Sequence, residues 1–172
     1  FPKGHAVAYV MMAMRIAYFK VHKPLAFYAA FLSRKADDFD MEVMSKGVLA
    51  KQKLEELSKE PKLDPKKKNE QSICEIVVEL EARGIELLPV DIYLSEGRKF
   101  KIEDGKIRIP LIGISGLGGA VIENILKERE EAKFISVEDL KRRTKMSQTV
   151  ADKLKSIGAI SSLSETNQIS LF

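Results

Sequence analysis

Soft metal ligands are scarce in this sequence. Cysteine occurs once, at Cys74, and histidine twice, at His5 and His22. A single thiol forms no internal disulfide, so the chain fits a reducing compartment. The spacing of these three side chains matches no zinc motif. Long apolar runs are missing as well. Ala6 to Phe19 is interrupted by Arg15 and followed by Lys20, His22, Lys23 and Pro24. It is too short and too polar at its end for a membrane span, and it lacks the charged lead and cleavage site of a signal peptide. It reads as a buried helix. Strong charge of one sign is also lacking. The formal net charge of +4 permits nucleic-acid binding without requiring it.

What is present suits a folded chain. Hydrophobic residues make up 45% and charged residues 31% of 172 residues, enough for one fair-sized domain or two small ones. The chain opens on Phe1 rather than Met, which points to a piece of something longer. Ala6 to His22 reads as a helix, and Pro24 suits the first turn of a second, running to about Lys35. Asp40 is placed to cap a third, from Met41 to Lys59. Pro61, Asp64 and Pro65 mark a sharp turn. In the fourth helix Ile73, Ile76, Val77 and Leu80 share a face, and Gly84 ends it.

The period then changes. Phe100 and Ile102, then Ile107 and Ile109, alternate with charged residues around Asp104-Gly105, the dipeptide of a type I′ turn, which predicts a β-hairpin. Helices return over Ala120 to Glu131, from Ser136 with a capping-box Asp139, and over Gln148 to Ile157, ended by Gly158. Two helix–turn–helix units, around Gly116 and Met146, suggest a weak internal repeat. Lys66-Lys67-Lys68 and Lys141-Arg142-Arg143 could face phosphate, although a solvated face is the ordinary reading of one lysine run.

The densest glycine cluster is Ile114-Ser115-Gly116-Leu117-Gly118-Gly119-Ala120. A dinucleotide-binding loop needs a third glycine where Val121 stands, and a P-loop needs a Gly-Lys-Ser/Thr that is absent. The pattern fits the hairpin of a helix-hairpin-helix motif. Gly116 and Gly118 allow positive φ, Leu117 turns inward, and the amides opening the next helix face a phosphate oxygen. Such contacts grip the backbone and carry no sequence information. A tight turn with no ligand is the competing reading. Lys145-Met146-Ser147 reads as a second, degenerate hairpin. The candidate DNA-binding residues are therefore Ser115, Gly116, Leu117, Gly118, Gly119, Lys145, Met146 and Ser147. Asp37, Asp38 and Asp40 precede a helix, where carboxylates cap rather than bind metal.

Phe1-Pro2-Lys3-Gly4-His5-Ala6, then Tyr9, then Ala17-Tyr18-Phe19-Lys20-Val21-His22-Lys23-Pro24, closely resembles the fingers region of bacterial C-family replicative polymerases, in the form typical of the Gram-positive PolC type. Ile85 to Ile109, the Gly116 hairpin, Phe134, Leu140 and Ile157-Gly158-Ala159 follow that family in the same order. Asn167-Gln168-Ile169-Ser170-Leu171-Phe172 looks like its C-terminal clamp-binding sequence.

The resemblance implies roles. Lys3 and His5 would lie near the phosphates of an incoming deoxynucleoside triphosphate; a surface lysine and a capping histidine is the plain alternative. Gln168, Leu171 and Phe172 would bind the sliding clamp, the β subunit; a tail folded onto its own core is the alternative. The parent would elongate DNA on a primer-template with Mg²⁺, in the bacterial cytoplasm and away from membranes. The palm aspartates that hold the metal would lie outside this chain, leaving it inactive alone. The expected fold is mainly α with a small β-hairpin: a helical fingers part over 1–84, a duplex-binding tandem helix-hairpin-helix region over 85–160, and a clamp-binding tail over 161–172. A helix-hairpin-helix module of a DNA repair or recombination protein is the rival, and a helical adaptor the third possibility.

Overall fold

A computed structural model describes residues 2–166. Helix α1 spans Lys3–His22. Lys23 breaks it, and Pro24 opens α2, Pro24–Arg34, where a fixed φ costs nothing. Tyr28, Ala29 and Leu32 put one face of α2 into the core. A 3₁₀ turn, Ala36–Asp38, follows.

The single helix expected over Met41 to Lys59 is two: α3, Met41–Met44, and α4, Gly47–Ser58. Lys46 between them is extended. A Cβ on Gly47 would stand 2.1 Å from the Glu81 carboxylate, so a larger residue at the start of the second helix would have to push that side chain aside. That neighbour is α5, Pro65–Ala82, capped by the Asp64 side chain, which accepts from the Lys67 N–H. Ile73, Cys74, Val77 and Leu80 are its buried residues.

Strand β1 is Leu87–Leu88, β2 Lys101–Glu103 and β3 Lys106–Arg108. The β2–β3 hairpin turns through Asp104 and Gly105, at φ 49° and 78°, as the Asp-Gly pair requires. Strand β1, which the sequence reading missed, pairs in parallel with β3, giving the order β1-β3-β2. Two residues are too few to display an alternating pattern.

Three helices complete the described chain: α6, Gly119–Glu131; α7, Val137–Thr144; and α8, Gln148–Ser156. One hydrophobic cluster runs from Tyr28 to Ile160 and crosses residue 84 without interruption. The Phe39 ring, from before α3, meets the Phe100 ring edge-on at 5.0 Å.

Helix α1 departs from expectation. It is not buried: every residue from Pro2 to Phe19 is exposed, including Tyr9, Met12 and Met14. Its apolar residues lie on all faces, and only its C-terminal end reaches the body, where Lys20 pairs with Glu79 at 2.7 Å. A 20-residue helix extends about 30 Å, more than the single contact with α2 covers. Among the described residues no helix is long and apolar enough to cross a membrane.

Candidate nucleic-acid interface

The first hairpin leaves a 3₁₀ turn, Leu111–Gly113. Ile114 and Leu117 are buried and anchor its two sides, while Ser115 and Gly116 between them are exposed. Gly116 takes φ 87° with open space where a Cβ would be, so glycine is required by the backbone and not by crowding. The Leu117 N–H closes the turn on the Ile114 carbonyl at 3.1 Å.

Gly118 corrects the sequence reading. Its φ is −70° and its ψ 151°, ordinary extended backbone at the N-cap of α6. With no side chain to cap the helix, it leaves the Gly119 and Ala120 amides of α6 to outside partners, while the Val121 and Ile122 amides donate to its carbonyl. Helix α6 is held by the buried Ile122 and Ile125, and by Arg129, which donates to the Ile92 and Ser95 carbonyls at 3.0 and 2.7 Å.

The second hairpin follows the same course. Ser136 caps α7 by accepting from the Asp139 N–H at 3.0 Å. Lys145 ends α7 in the left-handed region, at φ 58° and ψ 31°, the counterpart of Gly116. Met146 is buried like Leu117. Ser147, at φ −72° and ψ 158°, repeats the backbone of Gly118 and caps α8 through its hydroxyl. In sequence the two units share almost nothing; in conformation each has a positive-φ residue, a buried apolar residue and an extended N-cap in the same order, although the Leu117 N–H closes on Ile114 and the Met146 N–H on Lys141.

Their electrostatic surroundings differ. Lys141, Arg142 and Lys145 cluster at the second hairpin. Arg142 pairs with Asp139 at 2.7 Å, and Arg143 is tied to Glu128 and lies 4.7 Å over the Phe134 ring. Burial works to raise the pKa of Asp139; the Arg142 hydrogen bond, the Ile135 amide and the charges of both arginines outweigh it and hold it below the ordinary value.

The first hairpin borders a cleft of about 310 Å³ lined by Asp37, Asp38, Asp40, Glu70 and Lys66. Of the three aspartates only Asp40 caps a helix, accepting from the Glu42 N–H. Asp38 accepts from Asn69 at 2.9 Å, and Asp37 pairs with Arg98. Lys67 of the lysine run is bound to Glu60.

Lys153, which no local pattern singles out, reaches from α8 to the Ser115 carbonyl at 3.0 Å and to Glu42 at 2.9 Å. It links the two hairpins. Lys3 and His5 sit at the exposed far end of α1, with the His5 ring 4.5 Å from that of Tyr9. Gln168, Leu171 and Phe172 lie outside the described residues.

Two hairpins, each turning through a positive-φ residue and a buried apolar residue into a helix, define a helix-hairpin-helix protein. The chain belongs to that family: the helix-hairpin-helix motif matches residues 84–169, half of the sequence. Over its full length the chain is similar to PolC-type DNA polymerase III. It is 50% identical over 173 aligned residues to the protein of Thermotoga petrophila, 47% over 174 to that of Clostridium perfringens and 44% over 174 to that of Bacillus subtilis. All of this chain is covered in each case, but only 13%, 12% and 12% of those relatives, so it spans about an eighth of their length.

Proposed function

We propose that this chain is the duplex-gripping part of a replicative DNA-directed DNA polymerase, holding double-stranded DNA without sequence preference while the rest of the enzyme elongates the primer. The observation that carries this reading is the shared order of the two hairpins, a positive-φ residue, a buried apolar residue and an extended N-cap, which leaves two helix N-termini where a phosphate backbone would be gripped. The full-length similarity to PolC-type polymerases supports it over the repair-module alternative, which gives α1 no purpose.

Within this proposal, residues 1–84 serve the fingers, with Lys3 and His5 near nucleotide phosphates. Residues 85–160 grip the duplex, and Gln168, Leu171 and Phe172 bind the sliding clamp. The division is one of task, since the core is continuous across it. The exposed apolar surface of α1 is covered by other parts of the longer polypeptide. Mg²⁺ belongs to those other parts. Among the described residues no group of three or more His, Cys, Asp or Glu side chains is arranged to hold a metal. The Asp37–Asp40 carboxylates are engaged as helix cap and as partners of Arg98 and Asn69.

Fluorescence anisotropy with two unrelated duplexes over a salt series tests the central reading. Both should bind with similar affinity, and log K should fall linearly with log salt. Absence of binding at low salt, or a strong preference for one duplex, refutes it. Clamp capture by the full chain, lost on deletion of 168–172 with the melting temperature unchanged, tests the tail.

A further inference from the structure

The hairpin reading leaves unexplained a group of exposed cations beside the first hairpin. Arg98 and Lys99 lie in the loop before β2, and Arg34 ends α2. These three line an open cleft of about 550 Å³ that also touches Ser33 and Phe100. We propose that Arg34, Arg98 and Lys99 form a third phosphate-contact strip, which continues the track of the first hairpin along the duplex backbone. The proposal rests on the DNA-binding reading above and extends it to residues outside both hairpins.

The loop is fixed relative to the hairpin. The Leu111 and Ile112 amides donate to the Glu96 and Gly97 carbonyls at 2.9 and 3.0 Å, joining the loop to the turn that leads into Ile114. Gly97 presses on α6 so closely that a Cβ there would stand 3.0 Å from Leu126. On its other side the Phe100 N–H donates to Ser33 Oγ at 2.9 Å, which locks the loop to α2. The backbone at Arg98 is therefore fixed, and a guanidinium nitrogen lies 3.8 Å from where a Cβ on Gly119 would be. Gly119 is the first residue of α6, so the cation stands beside the uncapped amides of that helix.

Charge gives the strip its direction. On the Ser115–Gly116 side of the hairpin stand Asp37, Asp38, Asp40 and Glu70, which repel phosphate. Glu96 and Glu123 line the same cleft as Gly119, Arg98 and Lys99, so a phosphodiester backbone keeps out of that cleft and runs over the exposed Arg98 and Lys99 to Arg34. In the free protein Asp37 occupies Arg98, but both side chains are more than half exposed, at 73% and 59%. Exposed pairs of this kind are weak, so a DNA phosphate can take the place of Asp37.

The test uses the 172-residue chain and a duplex without special sequence. Arg98→Gln with Lys99→Gln should lower the salt slope by about 1.8, at roughly 0.9 per lost phosphate contact, and weaken binding about eightfold per contact at 0.1 M salt. Asp37→Asn should tighten binding severalfold, because it frees Arg98. Lys51→Gln with Lys62→Gln, an equal change of net charge at exposed lysines elsewhere, should leave the slope nearly unchanged. The strip is refuted if the distant pair lowers affinity as much as the Arg98–Lys99 pair. It is also refuted if Gly116→Val weakens binding while the Arg98–Lys99 pair and Asp37→Asn change nothing, an outcome that leaves the hairpin reading standing. If the unaltered chain binds no duplex, both fall.

Discussion

Gly116 and Gly118 stand two residues apart, and the same replacement should act on them differently. At Gly116 an alanine must adopt φ 87°, where nothing obstructs its methyl group but the backbone itself opposes it. A non-glycine residue in the left-handed region costs roughly 1–2 kcal/mol. For a chain of this length that corresponds to a melting-temperature drop of about 2–8 °C, at roughly 2–4 °C per kcal/mol. At Gly118 an alanine keeps φ −70° in open space. It gains roughly 0.4–1 kcal/mol from a less flexible unfolded chain. It also loses a comparable amount, on the order of 0.5–1 kcal/mol, because alanine is a poorer N-cap than glycine. The net should lie within about 0.5 kcal/mol of zero. Urea denaturation of Gly116→Ala and Gly118→Ala with a common slope measures both. Equal losses, or a larger loss at Gly118, would show that the turn is not held by the conformation of Gly116.

Replacing Lys153 with methionine should cost about 1 kcal/mol or less, since Glu42 is half exposed, yet it should speed hydrogen exchange at the amides of Gly116 to Ala120 by releasing the Ser115 carbonyl; unchanged exchange would remove Lys153 as the link between the hairpins. The folded pKa of Asp139 is depressed, so its stabilisation is complete above the unfolded value of about 4 and is lost as pH falls through the folded pKa; Asp139→Asn should therefore flatten the acid limb of stability against pH, and an unaltered limb would contradict this. Tyr28, pushed up to about 12 first by burial and then by its hydrogen bond to Glu79, should remain a phenol in ultraviolet titration until stability is lost between about pH 10 and that value; ionisation near 10 in the folded chain would refute its burial. Met11→Lys with Met14→Lys should reduce self-association in sedimentation without lowering the melting temperature, because both side chains are more than half exposed; a large fall in melting temperature would mean that α1 packs more fully than described.

The sequence by itself determined what depends on a few neighbouring residues. Asp104-Gly105 specifies a type I′ turn because both positions need positive φ. Asp40, Asp64, Ser136 and Ser147 cap helices because their oxygens reach amides two or three residues ahead. Gly116 marks its hairpin for the same local reason, and the apolar residues on either side of Lys145-Met146-Ser147 mark the degenerate second one, whose Met146 the structure buries. The fold of the tertiary structure decided the rest, because those contacts join residues far apart in the chain. A two-residue β1 exists only because β3 is there to pair with it. The break before Gly47 lies at the extended Lys46, beside Glu81 of α5, a neighbour 34 positions away. Helix α1 has the composition of a buried helix, but burial requires a partner surface, and the described residues offer one only at its end. Lys153 and Arg98 are single charged residues in a chain rich in them. Their distinction comes from lying against Ser115 and Gly119, 38 and 21 positions away, and no local pattern of side chains encodes a contact at that separation.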